Sequence, residues 1–172
     1  MIKKVLTIGF LCSVLTSTGA MANKPFKEDR DWYVRLVASA GPLQDKNSVL
    51  GQLSDSQSGY DTHDLEELAP FASPYLTIVF PHPDWGEQAG DYSTDFHGHD
   101  KKRDSWLFEV RSDDPNREIT LSWSGTGDLR RMQLKDPAND TVIKVMDRKN
   151  GLNTYTFSMG GENARQFEWI AK

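Results

Sequence analysis

Residues 105–124 carry the strongest structural signal in the chain, SWLFEVRSDDPNREITLSWS. In both halves large apolar residues occupy every second position, and alternate side chains of a strand point to opposite faces. The intervening residues 113–116, DDPN, are typical of a turn. The stretch therefore predicts a β-hairpin, and a second layer has to cover its apolar face. That face is made by Trp106, Phe108, Val110, Ile119, Leu121 and Trp123.

Alternation and turn signals of the same kind recur along most of the chain. Further strands are predicted near residues 32–38, 75–80, 92–97, 129–135, 141–146, 152–159 and 165–170. Asn150-Gly151 is typical of a hairpin turn and would pair the strands on either side of it. Residues 39–73 are predicted to be a long polar loop, with a short strand near 49–53 as the alternative. The pattern predicts an all-β fold, an antiparallel immunoglobulin-like β-sandwich of seven to nine strands, as a single domain over residues 32–172.

The first 22 residues differ in character from the rest. Lys3 and Lys4 precede an apolar run, and Ala20-Met21-Ala22 places small residues where a signal peptidase cleaves. We expect residues 1–22 to be a secretory signal peptide and residues 23–31 a flexible lead-in. The mature protein would then be periplasmic or extracellular at the cell surface, without a membrane span. Cys12 lies inside the leader, and a bulky residue stands before it where lipidation requires a small one.

Removal of the leader leaves an acidic chain without cysteine. The full sequence has 20 basic and 25 acidic residues, and the leader holds two of the basic ones, which leaves 18 against 25 and a net charge of about −7. Such a charge disfavours nucleic acids and anionic membranes as partners. The absence of cysteine excludes disulfides and thiolate chemistry from the mature chain.

Several short motifs occur in a characteristic order. They are Trp32, Asn47, Leu50-Gly51, Gly59-Tyr60-Asp61, Asp64, Glu66, Phe80, Tyr92, Asp95-Phe96, the Trp106, Phe108 and Val110 run, and Leu121 with Trp123. This order resembles the immunoglobulin-like β-sandwich modules of bacterial secreted and cell-surface proteins. The resemblance implies a spacer, adhesion or secretion-associated role without catalytic residues.

Histidines and carboxylates supply two candidate metal sites. His97-Gly98-His99 would place two imidazoles on one face of a strand together with Asp95, a spacing that zinc sites use. Asp61 and Asp64 belong to an acidic stretch whose oxygens suit calcium, although the spacing of an EF-hand is absent. The alternatives are solvated loop residues for the first site and, for the second, turn caps with nearby leucines anchoring the turn.

The sequence contains none of the common catalytic or nucleotide-binding motifs. There is no Gly-x-Ser-x-Gly, P-loop or dinucleotide motif. Tyr60 and Trp85, in the polar loops, are the predicted contacts for a protein partner at the cell envelope. Trp85 has two alternatives, stacking on a sugar ring or folding back over the sandwich edge. We expect a secreted, non-catalytic binding or scaffolding protein. The alternatives are a calcium- or carbohydrate-binding module and a His-rich metal-binding protein.

Overall fold

Eleven β-strands build the described part of the protein. The computed structural model describes residues 30–100, 103–145 and 153–172. The predicted leader, the lead-in up to residue 29, Lys101, Lys102 and Asn150-Gly151 lie outside them. The strands are β1 (Trp32–Ala40), β2 (Leu43–Gln52), β3 (Leu76–His82), β4 (Gly90–Tyr92), β5 (Thr94–His97), β6 (Asp104–Ser112), β7 (Glu118–Gly125), β8 (Met132–Asp136), β9 (Thr141–Lys144), β10 (Thr154–Ser158) and β11 (Ala164–Ala171).

The only helices in these residues are three short 3₁₀ turns. They span Gly86–Gln88, Leu129–Arg131 and Pro137–Asn139. None of the described helices has the length and apolar character needed to cross a membrane.

The strands form two sheets. One has five strands in the order β10-β7-β1-β2-β5, and the other has six in the order β4-β3-β6-β11-β8-β9. Among the described strands, every sheet neighbour runs antiparallel except β5, which pairs with β2 in parallel. The prediction of an all-β fold is confirmed. The strand number is higher than expected, and purely antiparallel pairing is wrong for β5.

The two halves of residues 105–124 lie in different sheets. β6 pairs with β3 and β11, whereas β7 pairs with β1 and β10. The predicted hairpin is therefore wrong. The predicted apolar face is confirmed, because each of its six residues is at most 4 % exposed. The link between Ser112 and Glu118 crosses the roughly 10 Å between packed sheets instead of turning within one sheet.

Strand pairing also corrects the predictions for the second hairpin and for the long polar loop. β9 pairs with β8, and β10 pairs with β7, so the hairpin predicted across Asn150-Gly151 is also wrong. The predicted polar loop at 39–73 contains β2, which pairs with β1 from Gln52 to Leu43 apart from a bulge. The first half of β2 has no fully buried residue and therefore lacks the alternation that would have revealed it.

One apolar core lies between the two sheets. Trp32 of β1 meets Trp106 of β6 edge to face with ring centroids 5.2 Å apart. Trp123 of β7 meets Trp169 of β11 in the same geometry at 5.9 Å. These pairs join strands of different sheets and contribute to their packing. Outside this core, the segment between β2 and β3 pairs with the edge strand β4 through a bridge between Glu66 and Tyr92.

Candidate functional site

Exposed apolar side chains are concentrated in residues 60–71, which we call the 60–71 loop. Six large apolar residues of the described chain are exposed, and four of them, Tyr60, Leu65, Leu68 and Phe71, lie in this loop. Phe71 is 95 % exposed. The leucines therefore do not anchor the turn, contrary to one of the alternatives above. Several large apolar side chains exposed to water within one loop are unfavourable and are typical of an interaction site.

The backbone of the loop is held against β4 and β5. The Leu65 N–H donates to Thr94 Oγ1 at 2.6 Å, and the Leu65 carbonyl accepts from the Ser93 N–H at 2.7 Å. The Glu67 N–H donates to the Asp91 carbonyl at 2.8 Å. Hydrogen bonds therefore hold the backbone at residues 65–67, and the side chains of Leu65 and Leu68 remain exposed.

Asp61 and Asp64 cap the start of the loop. Asp64 accepts from the backbone N–H of Phe96 at 3.0 Å and of Asp61 at 2.9 Å. Asp61 accepts from the N–H of His63 at 2.7 Å and of Gln57 at 2.9 Å. Each carboxylate oxygen thus has a backbone partner, which is the arrangement of the turn-cap alternative. Burial is the main reason why the pKa of Asp64 is raised.

The two predicted partner contacts lie side by side. The rings of Tyr60 and Trp85 meet edge to face at 5.9 Å. Trp85 is half-buried, stacks on His82 with ring centroids 3.6 Å apart, and packs against the core. Tyr60 is 41 % exposed. The indole has therefore folded back over the sheet edge, and Tyr60 presents the more accessible of the two rings.

The two histidines of the predicted zinc site have separate partners. His97 Nδ1 lies 2.8 Å from Asp104 Oδ2, and His97 Nε2 lies 3.2 Å from Asp95 Oδ1. His99 Nε2 lies 2.8 Å from Asp31, at the end of the predicted lead-in. Across residues 30–100, 103–145 and 153–172, no group of three or more His, Cys, Asp or Glu side chains is arranged to hold a metal ion.

A buried charge network joins β5 to strands of the other sheet. Asp95 is 1 % exposed and lies 3.2 Å from Nε2 of both His82 and His97. Burial alone would raise the pKa of Asp95, but the two imidazoles bring it below its ordinary value. Burial would likewise lower the pKa of His97, yet Asp104 and Asp95 raise it to about 9. His97 is therefore a cation at neutral pH.

The contacts of the charge network are typical of a structural role. Both ring nitrogens of His97 face carboxylates, so neither is free to take a proton from a substrate. Asp104 also accepts from Gln52 Nε2 at 3.4 Å. No motif of the sequence pointed to Asp104 as a partner of His97. Its position two residues before Trp106 places Asp104 on the inward face of β6. A charged residue on an inward face needs a partner, and this could have indicated its pairing from the sequence.

Comparisons with protein-family models, with curated proteins and with solved structures find no match to this chain. The geometry of the 60–71 loop and its surroundings is therefore the basis for a proposed function.

Proposed function

We propose that this is a non-catalytic binding or scaffolding protein whose contact surface is the 60–71 loop. The observation that carries the proposal is the exposure of Leu65, Leu68 and Phe71 in a loop whose backbone is held by hydrogen bonds at Leu65 and Glu67. A partner that covers these side chains removes apolar area from water. Because residues 65–67 are already held by hydrogen bonds, ordering this part of the loop costs little conformational entropy on binding.

The charges around the loop support a basic protein partner. Asp61, Glu66 and Glu67 lie within the loop. Burial, and then the nearby charges of Asp45 and Asp91, raise the pKa of Glu67, so these three carboxyl groups lie near one another; Asp91 is also paired with Arg111. Exposed apolar side chains with carboxylates nearby suit a partner whose apolar pocket is bordered by Lys or Arg. Such contact weakens as salt rises.

The predicted leader and the two-sheet architecture support a role outside the cytoplasm. A signal peptide over residues 1–22 would deliver the protein to the periplasm or the cell surface. The immunoglobulin-like sandwich that we propose for the two sheets suits this role, because such domains present binding loops on a rigid base. The engagement of both His97 nitrogens with carboxylates supports a non-catalytic protein.

Removal of the apolar side chains of the loop tests the proposal. The test variant combines Leu65→Ser, Leu68→Ser and Phe71→Ser, and the control combines Leu107→Ser and Val142→Ser, which are exposed elsewhere. Tagged wild type and both variants are used to capture proteins from the native envelope fraction. We expect the wild type and the control to enrich the same protein and the test variant to lose it at an unchanged melting temperature. Equal enrichment by all three proteins would contradict the proposal.

The non-catalytic part of the proposal has a separate test. Purified wild type and His97→Gln are assayed on glycoside, ester and peptide substrates. We expect no turnover by either protein. Turnover by the wild type that disappears in the variant would show that the charge network belongs to an enzyme.

A further inference from the structure

A row of four cations crosses one end of the six-stranded sheet. Arg103 directly precedes β6, Lys172 directly follows β11, Arg131 directly precedes β8, and Lys144 ends β9. These strands are neighbours in the order β6-β11-β8-β9. Each of four adjacent strands therefore places one cationic residue at the same end of the sheet, and all four residues are exposed.

The register of the strands brings these ends level with one another. Asp104 lies opposite Ala171, and Ala171 lies opposite Met132. The next residue beyond each of these three is one of the cations. The fourth, Lys144, lies opposite Gln133, one step inside that line. With neighbouring strands about 4.8 Å apart, the row from β6 to β9 spans roughly 14 Å.

The four cations line a single surface depression that has no acidic side chain in its lining. Arg130 also lines it and is paired with Asp128 at 2.5 Å. Within the described residues, no carboxylate lies within ion-pair distance of Arg103, Arg131 or Lys144. The whole chain has a net charge of −5, so this concentration of positive charge runs against the overall sign. Like charges in neighbouring strands repel each other unless an anion neutralises them.

We propose that this depression binds an anion that carries several phosphate groups. Guanidinium groups donate paired hydrogen bonds to phosphate oxygens, and lysine ammonium groups add point charges. A row of cations matches a ligand whose negative charges are spread along its length, whereas one carboxylate would neutralise only one of them. A free oligophosphate and the phosphate headgroups of lipids share this chemistry.

Calorimetric titration with inorganic tripolyphosphate tests the proposal on protein expressed from residues 1–172. The test variant is Arg131→Ser with Lys144→Ser. The control is Arg35→Ser with Lys46→Ser, which removes the same charge from exposed positions of the five-stranded sheet. We expect the wild type and the control to bind tripolyphosphate equally and the test variant to bind it roughly thirtyfold more weakly. Absence of binding by the wild type, or equal weakening in both variants, would overturn the proposal.

Further arms of the experiment address folding and ligand chemistry. If the first variant melts early, Arg103→Ser with Lys172→Ser removes the other two cations and should weaken binding to the same extent; unchanged binding would overturn the proposal. Citrate that binds as tightly as tripolyphosphate would overturn the assignment to phosphate. If the wild type sediments with phosphatidate vesicles and the Arg131→Ser, Lys144→Ser variant does not, the bound phosphate belongs to a lipid headgroup. Binding of tripolyphosphate without sedimentation assigns it to a free oligophosphate, and equal sedimentation with phosphatidylcholine vesicles contradicts both.

Discussion

Raising the pH is expected to destabilise the protein through His97. Burial alone would lower the pKa of this imidazole, but the hydrogen bond with Asp104 and the ion pair with Asp95 raise it from 6.5 to about 9. The folded state therefore holds the proton more tightly than the unfolded chain does. The resulting stabilisation is complete below pH 6.5 and is lost as the pH rises through about 9. Because the His97 side chain is only 13 % exposed, the full shift applies, and it corresponds to about 3 kcal/mol of unfolding free energy.

Urea unfolding at a series of pH values from 6.5 to about 9, at fixed ionic strength, measures the loss of unfolding free energy. The variant His97→Gln removes the titrating group. His63→Gln is the control, because that side chain is 35 % exposed and lies 3.5 Å from Asp55. We expect the wild type and the control to lose about 3 kcal/mol between the two ends of the range. The His97 variant should start from a lower stability and change much less. An NMR titration of the His97 ring gives its pKa directly.

Two results would refute this reasoning about His97. One is an unfolding free energy in the wild type that stays constant or rises over the range. The other is a pH profile as steep in His97→Gln as in the wild type.

Asp95 makes the stability of the protein depend on pH at the acid end. Burial would raise the pKa of Asp95, but His82 and His97 lower it overall. Its contribution is complete above pH 3.8 and is lost as the pH falls through the lowered pKa.

Three other expectations concern the core, a buried ion pair and the leader. Trp123→Ala should cost about 3–5 kcal/mol of unfolding free energy because the side chain is 4 % exposed; unchanged stability in urea unfolding would exclude this ring from the core. Arg165→Met should cost about 3–5 kcal/mol because it leaves Asp136, 0 % exposed, without its ion-pair partner at 2.5 Å; a melting temperature equal to that of the wild type would argue against this. N-terminal sequencing of the exported protein should begin at Asn23, and an uncleaved or lipidated N-terminus would show that the leader was misassigned.

The inward and outward faces of the strands could be predicted from the sequence, whereas the pairing of the strands could not. Alternation at Trp106, Phe108 and Val110 reports which side chains avoid water, and this depends only on positions two residues apart. Hydrogen-bonding partners depend on which strand edges remain free in the whole fold. A short link such as the one after Ser112 can therefore join strands within one sheet or in two. The alternation of residues 105–124 is compatible with both arrangements.

The candidate site was predictable in part. Placing Tyr60 and Trp85 in polar loops identified two aromatic residues that the structure brings together at 5.9 Å. The sequence could not show that Leu65 and Leu68 are exposed, because apolar residues in a loop are equally compatible with anchoring it to the core. The hydrogen bonds that hold Leu65 join it to Ser93 and Thr94, which are distant in sequence. His97 and His99 have different partners because Asp104 and Asp31, the carboxylates that they contact, come from different segments of the chain.

Photo-crosslinking from position 71 in the native cell tests most directly whether the 60–71 loop binds a partner. The photoreactive residue p-benzoylphenylalanine replaces Phe71, which is 95 % exposed, or Val142, which is 56 % exposed in the edge strand β9. After irradiation the adducts are separated by size and identified by mass spectrometry. We predict one discrete adduct with a second protein from position 71, diminished at high salt, and none from position 142. No adduct from position 71, or the same adducts from both positions, would contradict binding through this loop.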